Sequence, residues 1–147
     1  MLLLKNGTFI NRETLEFKQC DILVEEGING RIVLNPGRDS LPGAIAIDCT
    51  GQYITKSFAC GHHHVYSALA RGMGAPKKNP ENFNEILQYI WWTIDKALDS
   101  ETIYYSALVT AMACAKNGVT FVIDHHASPF AVEGSLSIIA KAFDEVG

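Results

Sequence analysis

Apolar and polar residues alternate in short runs over the first 55 positions, and turn residues separate the runs. This alternation predicts β-strands, because successive side chains of a strand point to opposite faces of a sheet. Asn6-Gly7 predicts a turn between strands at residues 2–4 and 8–10. Asn29-Gly30, with Ile28 before it and Ile32 after it, predicts a hairpin. We therefore expect a small antiparallel sheet of about five or six short strands, which needs another layer to pack against.

After Lys56 the apolar residues change to helical spacing. Helices are predicted at residues 65–71, at 82–98, from an Asp99 N-cap to Gly118, and at 133–146. The second helix has the apolar stripe Ile86, Leu87, Ile90, Trp91, Ile94 and Leu98, and the last helix has Leu136, Ile139, Ala140 and Phe143. Residues 119–123 are β-branched or aromatic throughout, which is typical of a parallel strand buried on both faces. The predicted domains are therefore residues 1–56 and 57–147.

Composition excludes several classes of protein. The 147 residues are 48% apolar and 19% charged, so the chain can build a core. The net charge is −4, and the scattered Lys and Arg residues argue against a nucleic-acid partner. No apolar run has the length of a membrane span, and the N-terminus lacks the features of a signal peptide, so we expect a cytoplasmic location and no membrane partner.

The four cysteines form no C-x-x-C pair, which argues against a zinc ribbon and a disulfide framework. Cys20, Cys49 and Cys114 are predicted to be small buried apolar residues.

All five histidines fall in two blocks, and the first block is His62 to His64. Side chains at i and i+2 of a strand share a face, so His62 and His64 can reach one ion while His63 points away. Imidazole suits zinc and iron(II). A catalytic metal site needs about three protein ligands and an open position, so two histidines would form an incomplete site. The alternative is a run of histidines that binds no metal.

The second block, Asp124-His125-His126, follows the predicted strand at residues 119–123. Both blocks thus come at the end of a strand, where a β/α barrel holds its active site. His125 and His126 could be further ligands or substrate contacts, or one could be a core histidine bonded to a carbonyl. Asp124 could orient a histidine or simply cap the loop.

Residues 53–73, with H-x-H followed by Arg71-Gly72, resemble the first barrel strand of the amidohydrolase superfamily, in its aminohydrolase and cytosine-deaminase-like branch. Residues 117–129 are similar to the second strand of selenium-metabolism aminohydrolases and chlorohydrolase-like proteins. The resemblance implies an α/β fold, namely the N-terminal part of a metal-dependent (β/α)8 barrel hydrolase preceded by strands of a small β-sandwich. It also implies that His62 and His64 bind a divalent metal, zinc rather than iron, for hydrolytic deamination of a purine, pyrimidine or triazine-like ring.

In that family the other metal ligands and an aspartate come from later strands, which would follow Gly147. We therefore expect no catalytic residue within this chain, and little or no activity from it alone. His125 is the first candidate for a substrate contact and Arg71 the second. Lys56-Ser57 stand where relatives usually have Pro-Gly, a change in turn chemistry only. The expected partners are a small-molecule substrate in the full enzyme and either a second copy or the remaining C-terminal part.

Two alternatives stay open. Cyclic-amide hydrolases of the dihydropyrimidinase type share the H-x-H, although Arg71-Gly72 and the Asp-His-His block favour the aminohydrolase branch. The chain could also be a metal-binding or oligomer-forming module without catalysis.

Overall fold

The computed structural model describes residues 1–27, 29–37 and 42–147. These residues form two units, Met1–Lys56 and Ser57–Gly147. Ile28, which belongs to the predicted hairpin, lies outside the described residues.

The first unit is a five-stranded mixed sheet. Its strands are β1 (Leu2–Ile10), β2 (Phe17–Val24), β3 (Ile32–Leu34), β4 (Ile45–Asp48) and β5 (Tyr53–Ile54). β2 pairs antiparallel with both β1 and β3, and its pairing with β3 is the one that the hairpin prediction requires. β4 and β5 run parallel to β1. The expectation of an antiparallel sheet is therefore wrong. After β3 the chain returns to β1, and there β4 and β5 run in the same direction as β1.

Asn6-Gly7 does not form the predicted turn but lies inside β1, where the register with β2 shifts between Leu4 and Gly7. Asn6 has a positive φ of 61°, which asparagine tolerates better than most residues. Its N–H donates to Asp21 Oδ1 (2.9 Å), and its side-chain amide donates to Asp48 Oδ1 (3.1 Å). A Cβ atom at Gly7 would collide with the side chain of Ile54. The pair of turn-forming residues thus makes a bulge in a long strand.

Cys20 and Cys49 are buried in this unit, as predicted, together with Leu3, Ile22 and Leu23. Cys114, in the second unit, is only partly buried, so the prediction for that residue is wrong. Cys114 borders a cavity that Val122, Asp124 and Phe143 also line, which leaves part of its side chain uncovered.

The second unit follows the predicted order of strand, helices, strand and helix. Its elements are β6 (Phe58–His63), a 3₁₀ helix (Val65–Ala70), α1 (Phe83–Ile86), a π segment (Leu87–Trp91), α2 (Trp92–Ala97), α3 (Ser100–Lys116), β7 (Val119–Asp124) and α4 (Ser135–Asp144). β6 and β7 pair in parallel. The Asp99 carboxylate caps α3 by accepting from Thr102 N–H (2.8 Å), and Gly118 follows the helix with a φ of 65°. Both predicted ends of α3 are thereby confirmed.

Two predicted helices differ from the observed ones. The helix at residues 65–71 is a 3₁₀ helix, a form that is common in short segments. The helix at 82–98 contains the π segment between α1 and α2. A π segment shifts the residues that follow it around the helix axis, and the apolar spacing alone does not signal such a shift.

The core of the second unit lies between the 3₁₀ helix and the long helices. One buried cluster contains Val65, Ala107 and Ala142, and a second contains Tyr66, Leu98 and Ile103. Trp91 and Ile94 pack against the second cluster, as predicted for the apolar stripe.

The strand β7 is covered on one face only within this unit. Phe121 and Ile123 are 59% and 54% exposed, so the predicted burial on both faces is wrong for the described part of the chain. The cause is that α3 and α4 approach the face that carries Val122 and Asp124. On α4, Leu136 is 69% exposed while Ala142 is fully buried, so the buried face is rotated from the predicted stripe. Among the described residues, we find no helix with the length and apolar character of a membrane span.

Candidate metal centre

His62 and His64 converge at the end of β6. Their Nε2 atoms lie 3.1 Å apart, and their rings meet edge to face with centroids 5.0 Å apart. β6 extends to His63, so His62 is still part of the strand, whereas His64 lies between the strand and the 3₁₀ helix. The alternation of side chains along the strand brings the two rings to the same side.

The separation of the two nitrogens fits two neighbouring ligands of one metal ion. With zinc–nitrogen distances of ~2.0–2.1 Å, two nitrogens 3.1 Å apart subtend an angle of about 100° at the ion, close to tetrahedral. The same distance also fits a direct hydrogen bond from one ring to the other. The position of the proton on the His64 ring bears on the choice between a metal site and such a hydrogen bond.

The Nδ1 atom of His64 lies 3.1 Å from the carbonyl oxygen of His125. A carbonyl oxygen only accepts, so Nδ1 carries the proton and donates it. In the neutral ring this leaves a lone pair on Nε2, the atom that faces His62. A donor bond from the second ring nitrogen is the usual arrangement of metal-binding histidines. His64 is therefore held in the tautomer that a metal ligand needs.

Asp124 contacts the main chain beside the histidines. Its Oδ1 accepts from Val65 N–H at 2.7 Å. The carboxylate thus caps the first residue of the 3₁₀ helix that follows His64, so any effect on a histidine ring passes through the main chain.

Two aromatic side chains lie beside the His64 ring. The ring centroid of Trp91 is 5.0 Å from that of His64, and the ring centroid of Tyr66 is 5.9 Å away. Tyr66 is 4% exposed. Burial raises the pKa of its hydroxyl far above the usual range, and the charges of Asp95 and Asp124 raise it further, so the hydroxyl stays protonated.

The His126 ring contacts a separate polar group. Its Nε2 lies 2.8 Å from Ser128 Oγ, which donates in turn to the carbonyl of Ala131 (3.0 Å). Ser128 therefore accepts from Nε2–H, and the lone pair of His126 is on Nδ1. Burial lowers the pKa of the ring, against the opposing charges of Asp124 and Asp95. Of the two histidines in this block, His126 is thus the core histidine bonded to a polar partner.

Three buried side-chain atoms have no hydrogen-bond partner among the described residues. They are His63 Nδ1, Asp95 Oδ1 and His126 Nδ1.

The two residues predicted to contact substrate lie in different surroundings. The His125 ring is exposed and lies beside His64, with ring centroids 5.2 Å apart. Arg71 is exposed at the end of the 3₁₀ helix, and in the described part of the chain it forms no hydrogen bond or ion pair with the histidines. Within the described residues, no group of three or more His, Cys, Asp or Glu side chains converges as a metal site. The candidate centre in the described residues therefore consists of two convergent histidine rings.

Sequence reasoning did not identify two contributors to this centre. Ser67 donates its main-chain N–H (3.0 Å) and its hydroxyl (2.8 Å) to the carbonyl of His64. The carbonyl of His125 orients His64, whereas only the side chain of His125 was considered. Main-chain acceptors leave no signal in a sequence, although Ser67, three residues after His64, is a recognisable turn residue.

Comparison with known proteins places this geometry in context. No family model matches the chain. A 5-methylthioadenosine/S-adenosylhomocysteine deaminase of Thermococcus sibiricus is 30% identical over 147 residues, which are 99% of this chain and 31% of the relative. A deaminase of the same name from Pyrococcus furiosus is 27% identical over 146 residues, 99% of this chain and 32% of the relative. The chain thus spans about a third of the length of the curated relatives it matches.

Solved structures match the fold over the same extent. Zinc-complexed atrazine chlorohydrolase from Arthrobacter aurescens superposes with a TM-score of 0.73 at 18% identity, covering 99% of this chain and 33% of that one. Escherichia coli guanine deaminase superposes with a TM-score of 0.66 at 16% identity, covering 99% of this chain and 34% of that one. In sequence and in fold, the chain therefore resembles about a third of an amidohydrolase-superfamily enzyme, which confirms the resemblance predicted from its motifs.

Proposed function

We propose that the chain supplies part of the metal site and substrate pocket of a metal-dependent aminohydrolase. The observation that carries the proposal is the 3.1 Å approach of His62 Nε2 and His64 Nε2, with His64 Nδ1 bonded to a carbonyl. Both nitrogens would hold one divalent cation. Zinc is the better candidate than iron, since a structural neighbour is complexed with zinc. When bound, such an ion lowers the pKa of a coordinated water toward ~7.

The residues of the chain bind and orient. His62 and His64 would hold the ion, and the exposed His125 ring beside His64 would contact the substrate. Arg71 would approach a substrate only from the end of the 3₁₀ helix. The remaining ligands and the carboxylate that transfers the proton from water to the leaving group would come from other polypeptide, so the described chain would be inactive alone.

The proposed reaction is hydrolytic deamination of a purine, pyrimidine or triazine-like ring. Water oxygen bonds to the ring carbon, the carbon–nitrogen bond breaks, and ammonia leaves with the transferred protons. The names of the relatives, two nucleoside deaminases and a guanine deaminase, support an aminated ring as substrate. Cyclic-amide hydrolysis has no such support among these relatives.

The architecture of the whole protein is part of the proposal. β6 and β7 would be the first two strands of a (β/α)8 barrel, and the sheet of the first unit would be part of a β-sandwich. The match to about a third of each neighbour supports this arrangement. The division into 1–56 and 57–147 as these two domains stays a prediction, as does a cytoplasmic location.

A non-catalytic binding module is the second candidate, because the described residues offer only two convergent ligands and expose Phe58, Phe121 and Ile123 on β6 and β7. Such apolar surface favours association with a second copy or with further polypeptide. That module would bind the same metal, so only activity in a complete protein separates it from the enzyme.

Zinc titration of the 147-residue chain tests the proposed site. We expect one Zn²⁺ per chain, and at least a tenfold loss of affinity in both His62→Ala and His64→Ala. His63→Ala is the matched control, because His63 lies between the two ligands in sequence and its ring is predicted to point away. Equal affinity in the wild type and both ligand variants, or a loss in His63→Ala alone, would overturn the proposal.

A further inference from the structure

The end of β7 holds the turn that contains His64, and we propose that Asp124 is a positioning residue for this ligand. In this role Asp124 fixes the main chain after His64 so that the His125 carbonyl can accept from Nδ1. The proposal rests on the proposed metal site, but its structural part concerns the metal-free chain.

His64 is the one residue between β6 and the 3₁₀ helix, and neither element fixes it. Its φ and ψ are −126° and 80°, which are outside the helical region and beyond the last ladder pair of the strand. The ladder ends one residue earlier, where the carbonyl of His63 accepts from His125 N–H at 2.9 Å. The direction of the His64 ring therefore depends on the bonds made by its neighbours.

Three consecutive residues of this turn are each bonded to Asp124 or His125. His63 accepts from the His125 N–H, His64 Nδ1 donates to the His125 carbonyl, and Val65 N–H donates to Asp124 Oδ1. Of these bonds, the one to Asp124 is the shortest at 2.7 Å and involves a charged acceptor. Charge-assisted hydrogen bonds are about twice as strong as neutral ones. Asp124 thus accepts the strongest of the hydrogen bonds that connect the turn to the end of β7.

Burial of Val65 makes the hydrogen bond from its N–H to Asp124 costly to lose. The Val65 side chain is fully buried against Ala107 and Ala142, so the residue cannot easily turn toward water. Without the carboxylate its N–H would lack the acceptor that it has now, at the cost of a buried unpaired donor. The turn would then shift to satisfy that donor. His64 Nδ1 lies at 3.1 Å from its carbonyl, near the long end of the normal range, so a small shift would break this bond.

The side chain of Asp124 performs this task through an acceptor oxygen, which asparagine also has. Asp124→Asn should therefore retain the arrangement, while Asp124→Ala should lose it. The matched control is Asp99→Ala, which removes a carboxylate that caps a helix of the same unit in the same way, far from His64 in the sequence.

The test is a ¹⁵N NMR measurement of the histidine tautomers in the metal-free chain, followed by Zn²⁺ titration of each variant. We expect His64 in one Nδ1–H tautomer in the wild type, in Asp124→Asn and in Asp99→Ala, and a mixture of tautomers in Asp124→Ala. Zn²⁺ affinity should fall about 10–100-fold in Asp124→Ala only. If Asp124→Ala does not fold, Asp124→Ser, whose hydroxyl stops short of Val65, is measured in its place.

A single Nδ1–H tautomer and wild-type Zn²⁺ affinity in Asp124→Ala would overturn the proposal, as would equal losses in Asp99→Ala. If the proposed metal site itself is wrong, the experiment gives a different result. In that case the wild type does not bind Zn²⁺ at all, and the tautomer of His64 in the metal-free variants still decides the role of Asp124.

Discussion

The ring of His64 donates from Nδ1 to the carbonyl oxygen of His125, across 3.1 Å, and so directs its Nε2 lone pair toward His62. This bond joins the ends of two parallel strands that are adjacent in the sheet but far apart in the chain. The two histidine blocks therefore form one structure, in which the second block contributes a main-chain acceptor to the first.

Truncation of Ile103 should strongly destabilise the second unit. Ile103 is fully buried beside Tyr66 and Leu98, so Ile103→Ala leaves a cavity and should cost about 2–5 kcal/mol of unfolding free energy, and Ile103→Val about 0.5–1.5 kcal/mol. Val109→Ala on the same helix is the control, since Val109 is 46% exposed and its truncation should change the free energy by no more than about 0.5 kcal/mol. Chemical denaturation measures all three, and similar costs for Ile103→Ala and Val109→Ala would contradict this core.

The Asp99 cap should make the stability of α3 depend on acid pH. Hydrogen bonds from Thr102 hold the pKa of Asp99 below its usual range. A lowered pKa stabilises the folded state above the ordinary carboxyl pKa, and this contribution is lost as the pH falls through the lowered value. We expect Asp99→Ala to lower the thermal midpoint by a few degrees at pH 7 and by less in acid.

Asp99→Asn is the companion variant, because it keeps an acceptor for Thr102 but cannot titrate. Its thermal midpoint should be close to that of the wild type at pH 7, and as the pH falls through the lowered pKa of Asp99 the wild type should lose stability relative to Asp99→Asn. A wild-type and an Asp99→Ala profile that remain parallel down to pH 2 would refute the cap.

Protonation of His126 should destabilise the fold. Burial lowers its pKa; Asp124 and Asp95 oppose this effect, and His125 adds to it. As the pH falls through the ordinary histidine range, unfolded chains take up the proton first, so the unfolding free energy drops until the lowered pKa is reached and then levels off. NMR titration of the ring should give a midpoint below that of a free histidine.

His126→Gln tests the same effect through stability. Glutamine can still donate to Ser128 but has no charge to gain. The stability of the wild type relative to His126→Gln should therefore decrease between pH 7 and pH 5. An increase over this interval would mean that the protonated ring is stabilised in the fold.

The 147-residue chain alone should not deaminate aminated rings. With Zn²⁺ and an aminopurine, an aminopyrimidine or an aminotriazine, ammonia release should equal that of His64→Ala. The reason is that only two candidate ligands converge in the described part of the chain, which leaves the ion without a full protein coordination set. Turnover at ~1 s⁻¹ or faster would show that the chain holds a complete active site.

Side-chain periodicity predicted the features that depend on neighbouring positions. The approach of His62 and His64 follows from i and i+2 spacing, and the parallel pairing of β6 with β7 was anticipated from the apolar run that forms β7. The Asp99 cap and Gly118 follow from local helix-end chemistry. These features could be predicted because each depends on a few consecutive residues.

Features that depend on distant parts of the chain could not be predicted in this way. Asn6-Gly7 has the composition of a turn, yet Asp21 and Asp48 bind Asn6 and keep it inside a strand. Phe121 and Ile123 have the composition of a buried strand, but the face that carries them is not covered within their unit. The role of the His125 carbonyl depends on where β7 lies beside β6, and a main-chain atom has no sequence signature.

Anomalous diffraction from crystals of the zinc-soaked chain tests the central claim most directly. At the zinc absorption edge we expect one peak at ~2.0–2.1 Å from both His62 Nε2 and His64 Nε2, with His64 Nδ1 still bonded to the His125 carbonyl. A peak at other residues with none between these two nitrogens, or zinc bound to His64 through Nδ1, would contradict the account.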